Sequence, residues 1–495
     1  MCSLDGLSAP RYLPINRSQK VLQPVDVERL IDEQHAARKI WLVVEQLDLS
    51  RFETDVRAFE GRAGRRAHSP QVLVSVWLYA FSKGLHSARE IERQMDYEPG
   101  LEWLTGLRPI NHHTLSDFRV GHGQALRELF EQVLAMLTMK GLITLERVAV
   151  DGTKIRAQAS KKSFSRAGNI RKHLKLAREH LAELDRAELG REDAEEQVSA
   201  RRKAAQRRAA GEREQRLSEA LEEIERLRAN NKQNKKKEPE ASRSDADAHF
   251  MKVDGGLAPS YNVQIGVDGA NGLIVDVETV IDPQDGQQIA PAAERLKKRF
   301  GSYPGQLLAD GAYTNHESVR AMEEKQIDYY STWTGRNAAS GARCDPAYRA
   351  ECFVWDQSAG EFTCPQHKRL GYAGMVRPKG RERHLWAAEA EDCRACEARE
   401  KCCPGNSLRE RGRSVSVEIP HPSADRFDEK MSGDQAQAIY KRRAQLAEFP
   451  NAWIKEKFQL RRFRCRGLGK VNCEAIWAAI TFDLQRMFRL APQPA

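Results

Sequence analysis

Hydrophobic spacing changes character near residue 145. Before that point the pattern is helical. In HSPQVLVSVWLYAFSKGLHSAREIERQM, Val72, Val76, Tyr79 and Ala80 fall at helical intervals, Gly84 interrupts, and a second helix follows with Ile91 and Met95. Farther on, Thr114 followed three residues later by Asp117 gives a capping-box-like helix start. After residue 145 the apolar runs become short and β-branched. ERVAVDGTKI (146–155) reads as a strand, and YNVQIGVDGANGLIVDVETV (261–280) as two strands joined through a Gly-Ala-Asn-Gly turn. AAERLKKRF reads as a helix, and QLLADGAYTN and QIDYYSTW as further strands. Strands interleaved with helices describe a mixed α/β sheet, preceded by an all-α region.

The N-terminal helices, joined by tight turns, suit either a helix-turn-helix DNA-binding unit or a plain bundle. Between the first strand and the hairpin lies an insertion rich in Lys, Arg, Glu and Ala, residues 160–245. Leu174, Ala177, Leu181 and Leu184 follow coiled-coil spacing, as do Leu217, Ala220, Ile224 and Leu227, with Gly190 and Gly211 as breaks between helices. The basic stretch 230–237 ends it. This insertion is either a solvated helical hairpin or an arm that grips DNA or a partner. Residues 334–425 are irregular and rich in Cys, Gly and Arg, and helical spacing returns over 435–490. The expected division is 1–140 helical and DNA-binding; 141–333 sheet core carrying the 160–245 insertion; 334–425 Cys-rich insertion; and 426–495 the helical end of the core.

A length of 495 residues suits about three domains. The 80 Lys+Arg against 70 Asp+Glu give a net charge of +10, which favours a polyanionic partner because neutralised phosphates release counterions. The first twenty residues lack the apolar core of a signal peptide, and the run Val72 to Phe81 is about half the length that spans a bilayer. The expected location is the cytoplasm, with no membrane contact and reduced cysteines.

Phosphodiester cleavage needs an activated oxygen nucleophile and neutralisation of charge on the leaving oxygen. Two Mg²⁺ ions held by a few carboxylates supply both. Asp151 and Asp310 each end an apolar run and precede Gly, a pattern that leaves a carboxylate at a sheet edge but also marks ordinary turns. Here a resemblance adds to the reading. AVDGTKIRAQAS and LADGAYTN are similar to the two aspartate motifs of the DDE transposases of bacterial insertion sequences. The helical region with HHTLSDFR resembles the domain that precedes the catalytic core in one large group of them. KRRAQLAEFPNAWIKEKF, followed by RGLGKVNCEAIWAAITFDLQRM, resembles their glutamate block.

The resemblance covers most of the chain and implies an RNase H-like core in which Asp151, Asp310 and Glu448 ligate two Mg²⁺ (or Mn²⁺) ions. The family pattern Tyr-(2)-Arg-(3)-Glu-(6)-Lys is matched by Tyr440, Arg443, Glu448 and Lys455, except that four residues separate Arg443 from Glu448. On one helix that extra residue turns Arg443 about 100° away from Glu448. Pro450, favoured in a first helical turn, suggests a helix that starts near Glu448 and leaves Arg443 in the preceding segment. Glu456 is the fallback carboxylate. Lys455 is implied to contact a terminal phosphate, or else is a solvated helix charge. Arg461, Arg462, Arg464, Arg466 and Lys470, with Phe463 among them, suit a DNA backbone track, and Phe463 is either a stacking ring or core. The implied partners are the element's terminal inverted repeats and target DNA, bound by a homodimer or a higher synaptic complex.

Cys364-Pro-Gln-His367 and Cys393-Arg-Ala-Cys396 have zinc-ribbon spacing, and Cys402 or Cys403 could replace one ligand. A structural Zn²⁺ would staple an otherwise coreless, loop-rich section; the alternative is plain thiols. Cys2, Cys344, Cys352, Cys465 and Cys473 show no pairing pattern. Three other functions compete: a non-catalytic DNA-binding regulator, a scaffold built on the charged insertion, and a nuclease of the same fold.

Overall fold

The computed structural model describes residues 18, 20, 22, 24–54, 66–188, 197–230, 238–253, 255–332, 344–356, 358–376, 383–404, 410–417 and 422–490. Six helices open it: α1 (Ala36–Val44), α2 (Pro70–Ser82), α3 (Ala88–Gln94), α4 (Pro99–Thr105), α5 (His112–Gly121) and α6 (Gly123–Met139). α2 starts where Ser69 accepts from the Gln71 N–H and Pro70 fills the first helical position. Leu73 through Phe81 are all buried, the mark of an inner helix surrounded by others. The cap of α5 is Asn111, whose side chain accepts from the His113 N–H at 2.9 Å. The expected start at Thr114 is therefore corrected: Thr114 lies exposed inside the helix, because Asn111 satisfies the first-turn N–H earlier.

The central part runs β1 (Arg147–Arg156), β2 (Phe164–Arg166), α7 (Ala167–Glu188), α8 (Gln197–Asn230), β3 (Glu240–Ser242), β4 (His249–Val253), β5 (Gly256–Asp268), β6 (Ile274–Val280), α9 (Ile289–Phe300), β7 (Gln306–Ala309), α10 (His316–Glu324) and β8 (Asp328–Tyr330). β1 is flanked by antiparallel β5 on one side and parallel β7 on the other, and β8 continues parallel to β7. The free edge of β5 takes β4 along its first half and β6 along its second. The anticipated hairpin is thus β5–β6, and the sheet is mixed as expected.

One detail departs from the expectation. β1 does not end at Asp151 but continues to Arg156, because β5 is long enough to pair with it from Val148 to Arg156. Only the parallel ladder with β7 stops there, at Val150 opposite Ala309.

The insertion is an antiparallel helical hairpin. Arg178 bonds Glu214 at 2.8 Å and Arg207 bonds Asp185 at 2.6 Å across it. Ile170, Leu174, Ala177, Leu217, Ala220 and Ile224 form its own small core, and β2 pairs with β3 at its root. Gly211 does not break α8; Gly190 and the basic residues 231–237 lie outside the described residues.

Residues expected to be loop-rich form a second sheet of five antiparallel strands, β9 (Val354–Asp356), β10 (Glu361–Thr363), β11 (Arg369–Val376), β12 (Arg383–Ala387) and β13 (Ser414–Val417). Two short helices, α11 (Ala390–Arg394) and α12 (Arg399–Cys402), lie between the last two strands in sequence. Phe353, Leu370, Ala388 and Val415 give this unit a core, so it is not coreless.

Three helices close the chain: α13 (Pro422–Ser432), α14 (Asp434–Glu456) and α15 (Leu468–Leu490). α14 is continuous through Pro450, which corrects the expected helix start near Glu448 and places Arg443 inside the helix. An interior proline costs roughly 3 kcal/mol. Here Ala436, Ala447, Pro450 and Ile454 form a buried stripe, and packing along that stripe outweighs the local penalty.

α15 ties the molecule together. It packs against α2, α5 and α6 on one side and β6 on the other. Asn472 accepts from the Thr279 N–H and Asp483 from the Ile274 N–H, both at 2.8 Å, which satisfies outer-edge backbone donors of β6. Among the described residues no helix is long and apolar enough to cross a membrane.

Candidate active site at the end of the parallel ladder

The residues that follow the last β1–β7 pair are Asp151 and Asp310, so two carboxylates from strands far apart in sequence stand side by side. Asp310 caps the short turn Gly311–Tyr313, with Oδ1 accepting from the Ala312 N–H at 3.1 Å. Its Oδ2 faces the Arg443 guanidinium at 3.8 Å, a side chain that is only 15% exposed. Asp151 is more enclosed. Its Oδ1 accepts from the Gly152 N–H at 3.0 Å and its Oδ2 from the Asn451 side-chain amide at 3.1 Å. Burial pushes the Asp151 carboxyl above its ordinary range; Arg443 and the Gly152 N–H oppose this, while the negative charges of Asp310 and Asp285 reinforce it.

Asp285, between β6 and α9, is a third acidic neighbour that the sequence reading missed. The Lys154 ammonium bonds both its oxygens at 3.0 Å, and the Asn262 and Gln264 amides donate to Oδ1 at 2.7 and 2.8 Å. Tyr313 donates to Gln264 Oε1 at 2.6 Å; burial, with Asp285 and Asp151 nearby, pushes its hydroxyl up and so keeps its proton on. This network presses against the backbone beside Asp151. A Cβ on Gly152 would lie 2.5 Å from Asp285 Oδ1 and 2.7 Å from the Gln264 amide nitrogen. Asp285 precedes Gly286, the same dipeptide that singled out the other two aspartates.

α14 supplies the rest. Arg443 and Asn451 reach the aspartates, whereas Glu448 is exposed, one turn before Asn451 and about 4.5 Å from it along the helix axis. Among the described residues no three His, Cys, Asp or Glu side chains come together as a group that could hold a metal, so Glu448 is not brought to the aspartate pair. Glu456 is exposed and paired with Arg461. Lys455 lines a cavity with Gly152 and Lys154, next to the aspartates. Arg461, Arg462, Arg464, Arg466 and Lys470 are all exposed around a loop anchored from within. The wholly buried Glu474 carboxylate accepts from the Arg464 and Cys465 N–H groups, and Phe463 is buried edge-on to Tyr261, so it is core and not a stacking ring.

In the second sheet, Cys364, Cys393, Cys396, Cys402 and Cys403 surround a void of about 20 Å³, about the size of one water molecule. Backbone N–H groups donate to two of the sulfurs, Lys368 N to Cys364 at 3.3 Å and Arg413 N to Cys393 at 3.2 Å. Burial, and then its neighbour Cys403, push the Cys402 thiol up to about 12, so Cys402 keeps its proton unless a cation joins it. His367 sits in a left-handed turn and is not among the residues around this void, whereas Cys403 is. Cys344, Cys352, Cys465 and Cys473 are free thiols; Cys2 lies outside the described residues.

Two stretches of the chain match known families. Residues 25–121, the helical N-terminal region, match the family described as Transposase domain (DUF772). Residues 363–488, from the second sheet through α15, match the one described as Transposase DDE domain. Both matches are to transposase families, and together they indicate an insertion-sequence DDE transposase. The second match includes Glu448 and Lys455 but begins after Asp151 and Asp310. No curated protein and no solved structure matches the transposase.

Proposed function

We propose that this transposase binds the ends of its insertion sequence and cuts and rejoins DNA at a two-metal site formed by Asp151, Asp310 and Glu448. The observation that carries the reading is the pairing of Asp151 with Asp310 where the parallel ladder stops. The strand order β6-β5-β1-β7-β8, with β1 antiparallel to β5 and parallel to β7, supports an RNase H-like core.

The charge at the aspartate pair supports a divalent cation there. Asp151 resists ionisation because it is buried beside other carboxylates, and a cation relieves that strain. Asn451 Oδ1 is also buried beside it without a hydrogen-bond partner. Asp151 and Asp310 would hold the metal, with Glu448 joining from α14 as a carboxylate that a side-chain or helix adjustment brings inward. Bound Mg²⁺ or Mn²⁺ ions would supply an activated oxygen nucleophile and neutralise the leaving oxygen.

The protein's own groups do the positioning. Arg443 balances Asp310, Asn451 orients Asp151, and Lys455 contacts a phosphate next to the scissile bond. DNA ends are gathered by the N-terminal helices (1–140) and the basic C-terminal surface. A homodimer or higher assembly is needed because two ends must meet. A structural zinc would need Cys364, Cys393 and Cys396, with Cys402 or with Cys403 in the place that spacing assigned to His367, to close in around the void, because as they stand no three of them form a metal-holding group.

The deciding experiment is cleavage of a labelled DNA carrying the element's ends in Mg²⁺. Wild type should cut at the element boundary, while Asp151→Asn and Glu448→Gln bind the same DNA and cut at least about 100-fold more slowly. If Glu448→Gln still cuts, Glu456 becomes the candidate. Binding without cleavage by every protein, wild type included, would favour the regulator.

A further inference from the structure

We propose that the DNA strand leaving the aspartate pair runs along a cationic groove floored by the outer half of β1, with its phosphates held by Lys154, Arg156, Lys161, Lys252, Arg462 and Arg466. This deepens the DNA-cutting reading and rests on it.

Three adjoining cavities define the groove. The first, about 350 Å³, begins at Gly152 beside Asp151 and is walled by Lys154, Lys252 and Lys455. The second, about 250 Å³, shares Lys154 and Lys455 with the first and adds Arg156, Arg461 and Arg462. The third, about 720 Å³, shares Arg156 and Arg462 with the second and extends past Lys161 and Arg466 to the root of the helical hairpin. Among the described residues, eight basic side chains and no acidic one line the three cavities. The chain as a whole has nearly balanced charge, 80 Lys+Arg to 70 Asp+Glu, and of the eight cations Lys154 and Arg461 are paired with Asp285 and Glu456, which do not line the cavities. The path starts at the aspartates, where a substrate phosphate must lie.

The groove is also preorganised. The Arg156 N–H donates to the Arg461 carbonyl at 3.2 Å and the Phe463 N–H to the Arg156 carbonyl at 2.9 Å, which stitches the arginine loop to the end of β1. Glu474 fixes the same loop from beneath. Little backbone order then remains to be imposed when DNA arrives. From Gly152 to Arg156 the strand spans about 13 Å, about four nucleotide steps of one strand. The cations divide by strand alternation and by loop, so the sequence shows the arginine cluster but not its union with Lys154, Arg156, Lys161 and Lys252. Arg464 and Lys470, which the sequence grouped with the track, do not line the groove.

The test uses the full chain with fluorescent duplexes, one carrying the element's end and one of unrelated sequence, each blunt or with a single-stranded tail. Affinity is measured against salt for wild type, for Lys161→Ala, Lys252→Ala and Arg462→Ala singly and together, and for Arg320→Ala on α10 as a control. All four side chains are solvent-accessible, so melting temperatures should stay level. Each groove variant should flatten the slope of log K against log salt by about 0.9 on duplex or about 0.7 on single strands, equally for both sequences. The combined variant should flatten it by about 2–3 and the control not at all. Loss confined to tailed DNA would also support the groove and identify its occupant as a single strand. Unchanged slopes in a protein that still cuts element ends would overturn the groove and leave the transposase chemistry standing. Wild type that neither binds nor cuts would overturn both.

Discussion

Gly152 has no room for a side chain. Its neighbours Asp285, Gln264 and Asn262 all stand within 3 Å of where a Cβ would be, and they are held by one another and by Lys154. Gly152→Ala should therefore cost about 1–3 kcal/mol, read as a lower denaturant midpoint with an unchanged slope. Asp151 makes a second prediction. Its carboxyl is held above the usual range chiefly by burial, so the folded state resists its ionisation. Below the ordinary carboxylate range the group is protonated folded or unfolded, and its contribution is at its most favourable. That contribution is lost as pH rises through the raised folded value. Without divalent ions at neutral pH, Asp151→Asn should melt above wild type, and the gain should vanish on acidification. Added Mg²⁺ should stabilise wild type more than the variant. Equal melting at neutral pH would remove the electrostatic account of Asp151. Asp151 and Asp310 were legible because an apolar run delivers each to an Asp-Gly step. Asp285 has the same dipeptide but sits five residues beyond β6, so no strand pointed at it. Asn451 has neither charge nor motif, and only the fold brings it across 300 residues to Asp151.

Among the elements, the helical hairpin stands most apart, since α7 and α8 bury their apolar residues against each other and β2–β3 brings the two ends of the insertion together. Replacing residues 167–238 by a short Gly-Ser linker should leave the remaining chain folded, with a melting temperature within a few degrees of wild type. Collapse of the sheet in that deletion would mean that the hairpin supports the core. The five-stranded unit calls for a metal measurement. Purified protein should carry about one zinc per chain, and Cys393→Ser should abolish it and loosen that sheet. A metal-free wild type with thiols that titrate freely would make them ordinary cysteines. The hairpin was readable from its period, and so were the paired strands β5 and β6. The continuity of α14 was not, because Pro450 is a local stop signal and the stripe of contacts that overrides it comes from distant β1 and β5.

At the scale of the whole molecule, the N-terminal helices and the six-stranded sheet share one core, with α15 between them. A fragment spanning 141–495 should therefore be insoluble or molten, because α15 would lose α2 and α6; a cooperatively folded fragment would show two independent cores. The order of elements along the chain was legible, but not this sharing, since nothing in the period of an apolar helix names its neighbours. The arrangement also sets a clock. Trp477 on α15 reaches back 358 residues to the carbonyl of Arg119, a gap that takes roughly 20 to 70 s to synthesise. Throughout that interval α2 can pack against α1, α4 and α5 but lacks α15, so the core that the N-terminal helices share with the sheet stays open on one side until the last helix emerges.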